Sequence, residues 1–301
     1  MSENTQEDIL IAGASGVIGT SLFKTLYQNH SVTGLYNSNT SIIDGYHQLD
    51  LNSKEKIETF VSNHQKFKIL IFLVGLAHKK ATWNSKKIYR KINKDTLINL
   101  LSILEKYNKL PSKIIYASTI SVYGERINEN IYFEGSNKSP YSPYATTKLE
   151  AEQFLLNNYK NKSWILRLSP VYSNKFLLNI HRRTRFGKLF YRIGNGLSRL
   201  SLCNIENIGL VIEKIINDKV PSGVYNISDS VEYNYNDLHE YLGSEMIIKI
   251  PNSLIKILYK LGMLAKNTFL IENTIKLVSD NVFCSKKIQK YVALEKRMNV
   301  K

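Results

Sequence analysis

Tyr144 and Lys148 stand four residues apart in the run YATTK, at the start of a segment with helical periodicity, so the phenol and the ammonium share one face. A free tyrosine titrates near pH ~10 and is a poor base at neutrality. An ammonium one turn away stabilises the phenolate and brings it into range for proton exchange with a substrate oxygen. Such a pair suits the proton movement that accompanies hydride transfer at a C–OH/C=O carbon. Upstream, the apolar run Ile114–Ala117 ends in Ser118, Thr119, Ile120 and Ser121. Hydroxyls at the carboxyl end of a central strand lie where open α/β sheets bind ligands. Each signal also has an ordinary reading: a solvated helix face for the Tyr/Lys pair, and a turn capped by its own side chains for the hydroxyls.

A hydride needs a carrier, and the first thirty residues supply a place for one. Gly13, Gly16 and Gly19 recur at intervals of three directly after the apolar run ILIA at 9–12. Gly13 permits a tight turn, Gly16 lets the backbone approach a pyrophosphate, and Gly19 allows close helix–strand packing. The N-terminus of the following helix offers N–H groups and a partial positive charge to phosphates. Strand, glycine loop and helix in this order predict a dinucleotide site. After the second strand, Leu35-Tyr36-Asn37-Ser38 carries no carboxylate to repel a ribose 2′-phosphate. NADP(H) is therefore the preferred cofactor and NAD(H) the alternative, with Asn37 or Ser38 bonding either ribose.

The elements that must position these groups follow from periodicity. Strands are predicted at 9–12, 31–35, 46–49, 68–74, 113–117 and 164–168, with helices at 17–29, 54–65, 86–106 and 144–159. Strands alternating with helices of ten or more residues predict an α/β fold with a doubly wound (Rossmann) parallel sheet. Beyond about residue 170 the pattern shifts to basic loops, a helix near 206–218, strands near 224–227 and 246–250, and helices at 254–264 and 274–279. Residues 1–172 are read as the dinucleotide domain and 173–301 as an interleaved mixed α/β substrate lobe.

Composition limits the partners. The 301 residues carry a net charge of +16 and only two cysteines, Cys203 and Cys284, so no disulfide framework is expected. Residues 1–8 are polar and acidic and no signal peptide is expected. The longest apolar run, Ile69–Ala77, is too short for a membrane span. A cytoplasmic protein follows. The charge reads either as lysines on solvated faces or as a preference for an anionic partner. The denser group His181, Arg182, Arg183, Arg185, Lys188, Arg192 and Arg199 is assigned to a phosphate site, and no nucleic-acid motif accompanies it. No metal is expected. The segment Leu254–Leu264 with Lys256 and Lys260 reads as a lobe-packing helix, with a membrane-surface helix as the alternative.

Together, GASGVIG at 13–19, Asp50-Leu51, STISVYG at 118–124, YATTK at 144–148 and LRLSPVY at 166–172 resemble the extended short-chain dehydrogenase/reductases, the NAD-dependent epimerase/dehydratase family, over nearly the whole chain. The resemblance implies that Thr119 hydrogen-bonds the substrate oxygen beside Tyr144, and that Lys148 also holds the nicotinamide ribose. It implies cofactor contacts from Gly13, Ser15, Gly16, Val17, Ile18, Gly19 and Pro170, and from Val74 and Gly75, where alanine is more usual at position 75. Asp50 and Leu51 look like the adenine pair, and Asn93 matches the family's asparagine on the next helix. Arg199, after Gly194-Asn195-Gly196, resembles the arginine that meets a substrate diphosphate; Ser121 is a further substrate candidate. His78 reads as an exposed loop residue or a group reaching the sugar. The family's acidic pair is replaced at Asn204–Asn207.

The typical substrates of the resemblance are nucleoside-diphosphate sugars. A 4,6-dehydratase would need Asp-Glu after the threonine; Ile120-Ser121 exclude that chemistry. The absent carboxylate and Ser169-Pro170 favour a 4-keto-sugar reductase of surface-polysaccharide synthesis, with a 4-epimerase as the alternative. A non-catalytic dinucleotide-binding protein is the rival from another class. A homodimer through the helices near 86–106 and 144–159 is expected.

Overall fold

The computed structural model describes residues 7–37, 44–77, 85–124 and 131–299. Ser38 and His78 lie outside the described residues. In chain order the elements are β1 (Asp8–Ala12), α1 (Val17–Leu26), β2 (Ser31–Tyr36), β3 (Tyr46–Gln48), α2 (Lys54–Asn63), β4 (Ile69–Phe72), α3 (Ser85–Arg90), α4 (Thr96–Lys106) and β5 (Lys113–Thr119). They continue through β6 (Ile131–Tyr132), α5 (Pro143–Asn158), β7 (Ser163–Leu168), β8 (Val171–Tyr172), α6 (Leu178–Thr184), β9 (Arg185–Phe186), β10 (Leu189–Ile193), β11 (Arg199–Leu200) and β12 (Cys203–Asn204). The chain ends with α7 (Ile205–Ile216), β13 (Gly223–Ile227), β14 (Tyr233–Asn234), α8 (Tyr235–Tyr241), β15 (Ile247–Ile250), α9 (Asn252–Leu264), α10 (Thr268–Val278), β16 (Val282–Phe283) and α11 (Lys286–Gln289).

The central sheet has seven strands in the order β13-β7-β5-β4-β1-β2-β3. Pairs β1–β2, β1–β4, β2–β3 and β4–β5 are all parallel. The order reverses between β1 and β4, the switch point at which doubly wound sheets bind ligands. Leu10, Ala12, Leu70, Phe72, Ile114 and Tyr116 alternate into one buried cluster with Ile57 and Val61 of α2, Leu97, Leu100 and Leu104 of α4, and Ala151 and Leu155 of α5. The intervening Ile9, Ile11, Ile69, Ile71 and Ile115 are buried as well. Burial on both faces is why these strands read as unbroken apolar runs.

The chain forms two compact units, one of Met1–Ser118, Pro143–Leu166 and Ile212–Val224, the other of Thr119–Ser142, Arg167–Val211 and Tyr225–Lys301. In the second, β15 runs parallel to β10 and β9 antiparallel to it, while Tyr172, Ile180, Leu200, Leu202, Tyr233 and Leu238 form a core. Buried Asp229 organises this unit. It accepts bonds from the Asn204 backbone (2.7 Å), Asn207 Nδ2 (2.8 Å), Tyr172 OH (2.7 Å) and Tyr233 OH (2.8 Å), and burial raises its pKa above the ordinary carboxylate range. The asparagines that replace the expected acidic pair thus hold an aspartate from elsewhere in the chain.

Three elements depart from the pattern reading. The helix expected over 86–106 is interrupted by a π-helical stretch, Lys91–Asp95, between α3 and α4. The basic segment read as loops contains α6, β9 and β10, each too short to establish a period. The helix expected at 274–279 begins at Thr268, where Asn267 caps the Leu270 N–H.

Candidate active site

The glycine loop is built by close approach. Gly13 has φ +88°, and a Cβ there would meet the Val74 backbone nitrogen at 3.0 Å. The Gly13 and Ala14 N–H groups both donate to Leu35 O at 3.0 Å, and Tyr46 OH donates to Ala14 O at 3.0 Å. These bonds pin the loop to β2 and β3, and Gly13 packs against the turn after β4. Ser15, Gly16 and Val17 are exposed at its tip and Ile18 is half-buried. Gly19 has no room for a side chain against Gly13 and Ala14. Gly16 caps α1 without a side-chain hydrogen bond, so among the described residues no side chain caps the first N–H groups of that helix. The cradle fits a pyrophosphate.

Lys148 lies on α5 with its side chain buried. Its Nζ donates to the carbonyls of Ala117 (2.9 Å) and Val74 (3.2 Å) and sits 4.8 Å over the Tyr116 ring. Burial pushes the ammonium down to about 7, and the Glu152 carboxylate one turn further on opposes that shift. Glu152 is itself buried and accepts a short hydrogen bond from Ser118 Oγ. Tyr144 opens the same helix, half-buried, with its ring edge-on to Tyr89 at 6.5 Å. A buried lysine with a strongly lowered pKa, held by carbonyls after β4 and near the end of β5 and on the same helix face as a phenol, is a candidate for proton chemistry.

Asn93 explains the π stretch. It is fully buried; its Oδ1 accepts from Leu76 N at 2.7 Å, and its Nδ2 donates to Thr147 Oγ1 at 3.1 Å and Leu76 O at 3.4 Å. The side chain clamps the turn Leu73–Ala77 to α5, fixing Val74 and Gly75 beside Lys148. A Cβ on Gly75 would meet Lys148 Nζ at 3.1 Å. π-bulges recur at functional sites because they re-aim one side chain inside a helix. Asp50 Oδ1 accepts from Asn52 N and Nδ2, both at 2.9 Å, bonds that hold its carboxyl below the ordinary range. Leu51 is buried, with its carbonyl bonded by Asn99. Asn37 is exposed after β2, and its carbonyl accepts from Gln48.

The remaining candidates belong to the second unit. Thr119 is buried, its Oγ1 accepting from Ser121 N at 3.2 Å. Ser121 follows on the 3₁₀ turn Ile120–Tyr123. Pro170 is half-buried between β7 and β8, its carbonyl accepting from Cys203 N. Arg199 is engaged by carboxylates, Asp280 at 2.9 Å and Glu232 at 3.0 Å. Arg192 donates to Asn236 Oδ1 at 2.7 Å, and Arg183 to Asn179 O at 2.8 Å, so part of the basic cluster is bonded within the unit. Glu152, Tyr116, Tyr89 and Thr147 were not singled out by sequence. Glu152 had an available signal, since it continues the Tyr144/Lys148 face at the next turn.

The chain matches the model of the NAD dependent epimerase/dehydratase family over residues 9–228. It is 24% identical over 273 residues to the N-acetyl-alpha-D-glucosaminyl-diphospho-ditrans,octacis-undecaprenol 4-epimerase of Escherichia coli O157:H7, covering 87% of this chain and 79% of that one. Among solved structures, the UDP-glucuronic acid 4-epimerase of Bacillus cereus in complex with NAD superposes with a TM-score of 0.71 at 18% identity, covering 97% of this chain and 92% of that one. The UDP-glucose 4-epimerase of Thermotoga maritima with UDP-glucose gives 0.67 at 21%, covering 81% and 85%. At these identities the structures speak for the fold alone. The match over residues 9–228, joined to a pinned glycine loop and a buried lysine one turn from Tyr144, makes this chain an enzyme of the NAD dependent epimerase/dehydratase family.

Proposed function

We propose that the enzyme interconverts 4-epimers of a nucleoside-diphosphate sugar and keeps NAD(H) bound through each turnover. The observation that carries this reading is Lys148, buried on carbonyls at the end of β5 and four residues from Tyr144. Bound NAD(H) would supply the hydride acceptor and donor at C4. Tyr144 takes the proton of the 4-hydroxyl and returns it to the transient 4-ketone; Lys148 holds the ribose and favours the phenolate; Thr119 hydrogen-bonds the reacting oxygen. Gly13, Ser15, Gly16, Val17, Ile18 and Gly19 hold the pyrophosphate, and Asp50 and Leu51 the adenine. Residues 1–172 carry the cofactor and 173–301 the sugar. Arg199, bonded through Nε to Asp280 and through Nη1 to Glu232, is the residue offered to a diphosphate. A cytoplasmic homodimer completes the proposal, checked by sedimentation.

The name of the Escherichia coli relative supports 4-epimerisation over the reductase that the sequence favoured. The reductase reading keeps two observations, Pro170 after β7 and the absence of a carboxylate at Asn37, and the second also keeps NADP(H) in play. One experiment separates the readings. UDP- and dTDP-linked hexoses and N-acetylhexosamines are incubated with the protein, without added reductant, and the 4-epimer is followed by NMR. Epimer should form, and Tyr144→Phe should slow it by about 10²–10⁴-fold. Product that requires stoichiometric NADPH would make the protein a reductase. Turnover of a polyprenyl-diphosphate sugar alone, the substrate type in the name of the Escherichia coli relative, would replace the nucleotide.

A further inference from the structure

The α9–α10 hairpin buries one side of α9 and leaves the other bare. Ile255 and Gly262 face inward, and a Cβ on Gly262 would meet Leu270 and Ile271 of α10 at 3.2 and 3.3 Å. On the opposite side, Leu254, Ile257, Leu261 and Leu264 follow one another at helical spacing and are 48%, 54%, 51% and 82% exposed. Lys256 and Lys260 flank this stripe, and no acidic residue occurs in α9. β15, which leads into α9 through Pro251, adds Met246 (86% exposed) just before it and Ile248 on it, and the neighbouring β9–β10 hairpin adds exposed Phe186 and Leu189.

Charge selects the occupant. Residues 178–192 carry five Lys or Arg and residues 246–266 carry four, with no Asp or Glu in either segment. The acids beside them are Glu245 and, from α8, Glu240, which line a groove with Arg192 and Ile247. Arg183, Arg185 and Arg192 are engaged within the unit by Asn179 O, the Phe190 ring and Asn236, while Arg182, Lys188, Lys249, Lys256, Lys260 and Lys266 are exposed. An apolar partner surface or a second copy of this chain would set these like charges against apolar groups or against themselves. An anionic bilayer instead takes the apolar stripe into its headgroup boundary and the cations onto its phosphates. No helix among the described residues is long and apolar enough to cross a membrane. We infer that the outer face of α9, with the β9–β10–β15 edge beside it, is a docking surface for an anionic phospholipid membrane. The reaction proposed above does not require it, and the test reads no turnover.

The full-length protein is floated with vesicles of phosphatidylcholine alone and of phosphatidylcholine with phosphatidylglycerol. It should bind only the anionic vesicles, more weakly as salt rises. The double variant Ile257→Glu/Leu261→Glu changes two exposed positions, so its melting temperature should match the parent. Its partitioning should fall by about tenfold or more, because the apolar area that enters the boundary is gone. The charge variant Lys256→Glu/Lys260→Glu should also bind less, with the loss shrinking at high salt. Failure of the parent to bind anionic vesicles, or equal binding by parent and Ile257→Glu/Leu261→Glu, overturns the inference. So does a parent dimer that this variant dissociates, since the face would then belong to a second copy.

Discussion

Two buried lysines mark opposite ends of strand β5, and they are held in opposite ways. Lys113 begins the strand. Its Nζ donates to Ile216 O at 2.6 Å and pairs with the exposed carboxylate of Asp218 at 2.9 Å. Lys148 reaches the far end of the same strand, where its bonds go to the carbonyls of Ala117 and Val74. The first lysine closes the fold where α7 returns to the sheet. The second is buried, its pKa lowered to about 7, at the carboxyl edge of the sheet, where doubly wound folds bind ligands. Lys113 has a carbonyl and an exposed carboxylate at the edge of the fold; Lys148 has two carbonyls, with the Glu152 carboxylate one turn away.

Removing Lys148 should separate the two roles most sharply. Lys148→Met should lower turnover by about 10²–10⁴-fold, measured on whichever sugar the parent converts. Its effect on stability should run the other way. Because burial lowers the folded-state pKa from 10.5 to about 7, the unfolded chain binds more protons than the folded one in that window. Stability of the parent therefore rises with pH, and the burial cost is fully present only below about pH 7. Thermal melts should show Lys148→Met gaining on the parent at pH 6 and losing that advantage toward pH 9. Lys113→Met should do the converse: about 1–2 kcal/mol less stable in urea melts, as the Ile216 carbonyl loses its partner, with turnover per folded molecule unchanged. The smallest effect belongs to Gly75→Ala. The added methyl presses Lys148 Nζ by a few tenths of an ångström, and turnover should stay within about threefold of the parent.

Much of the cofactor side of this contrast was legible in the sequence. ILIA, GASGVIG and the Leu97/Leu100/Leu101/Leu104 spacing each express a period long enough to read, and they lie in the units that build the sheet. Tyr144 and Lys148 were readable because four residues is one helical turn. Asn93 was marked by the resemblance, but the π stretch that carries it was not readable, since a π-bulge leaves the apolar period around it almost intact. Nor was the hold of Asp229 on Asn204 and Asn207, which joins residues far apart in the chain. α8 had a local signal, the capping box of Asn234 and Asp237, that was passed over in a Tyr-rich segment. The basic run 178–193 hid two short strands and a seven-residue helix because charge carries no period of its own.

In the proposed reaction, Tyr144 and Lys148 serve a hydride moved at a sugar carbon within a single bound cofactor. Rapid mixing of the NAD-loaded protein with a UDP-sugar, followed at the nicotinamide absorbance band, tests it most directly. Reduced nicotinamide should appear and then decay as the 4-epimer forms, with no net consumption, and Tyr144→Phe should suppress the transient. A silent band in the presence of epimer would rule out hydride transfer through the bound nicotinamide, and an equal transient in Tyr144→Phe would remove Tyr144 from the reaction.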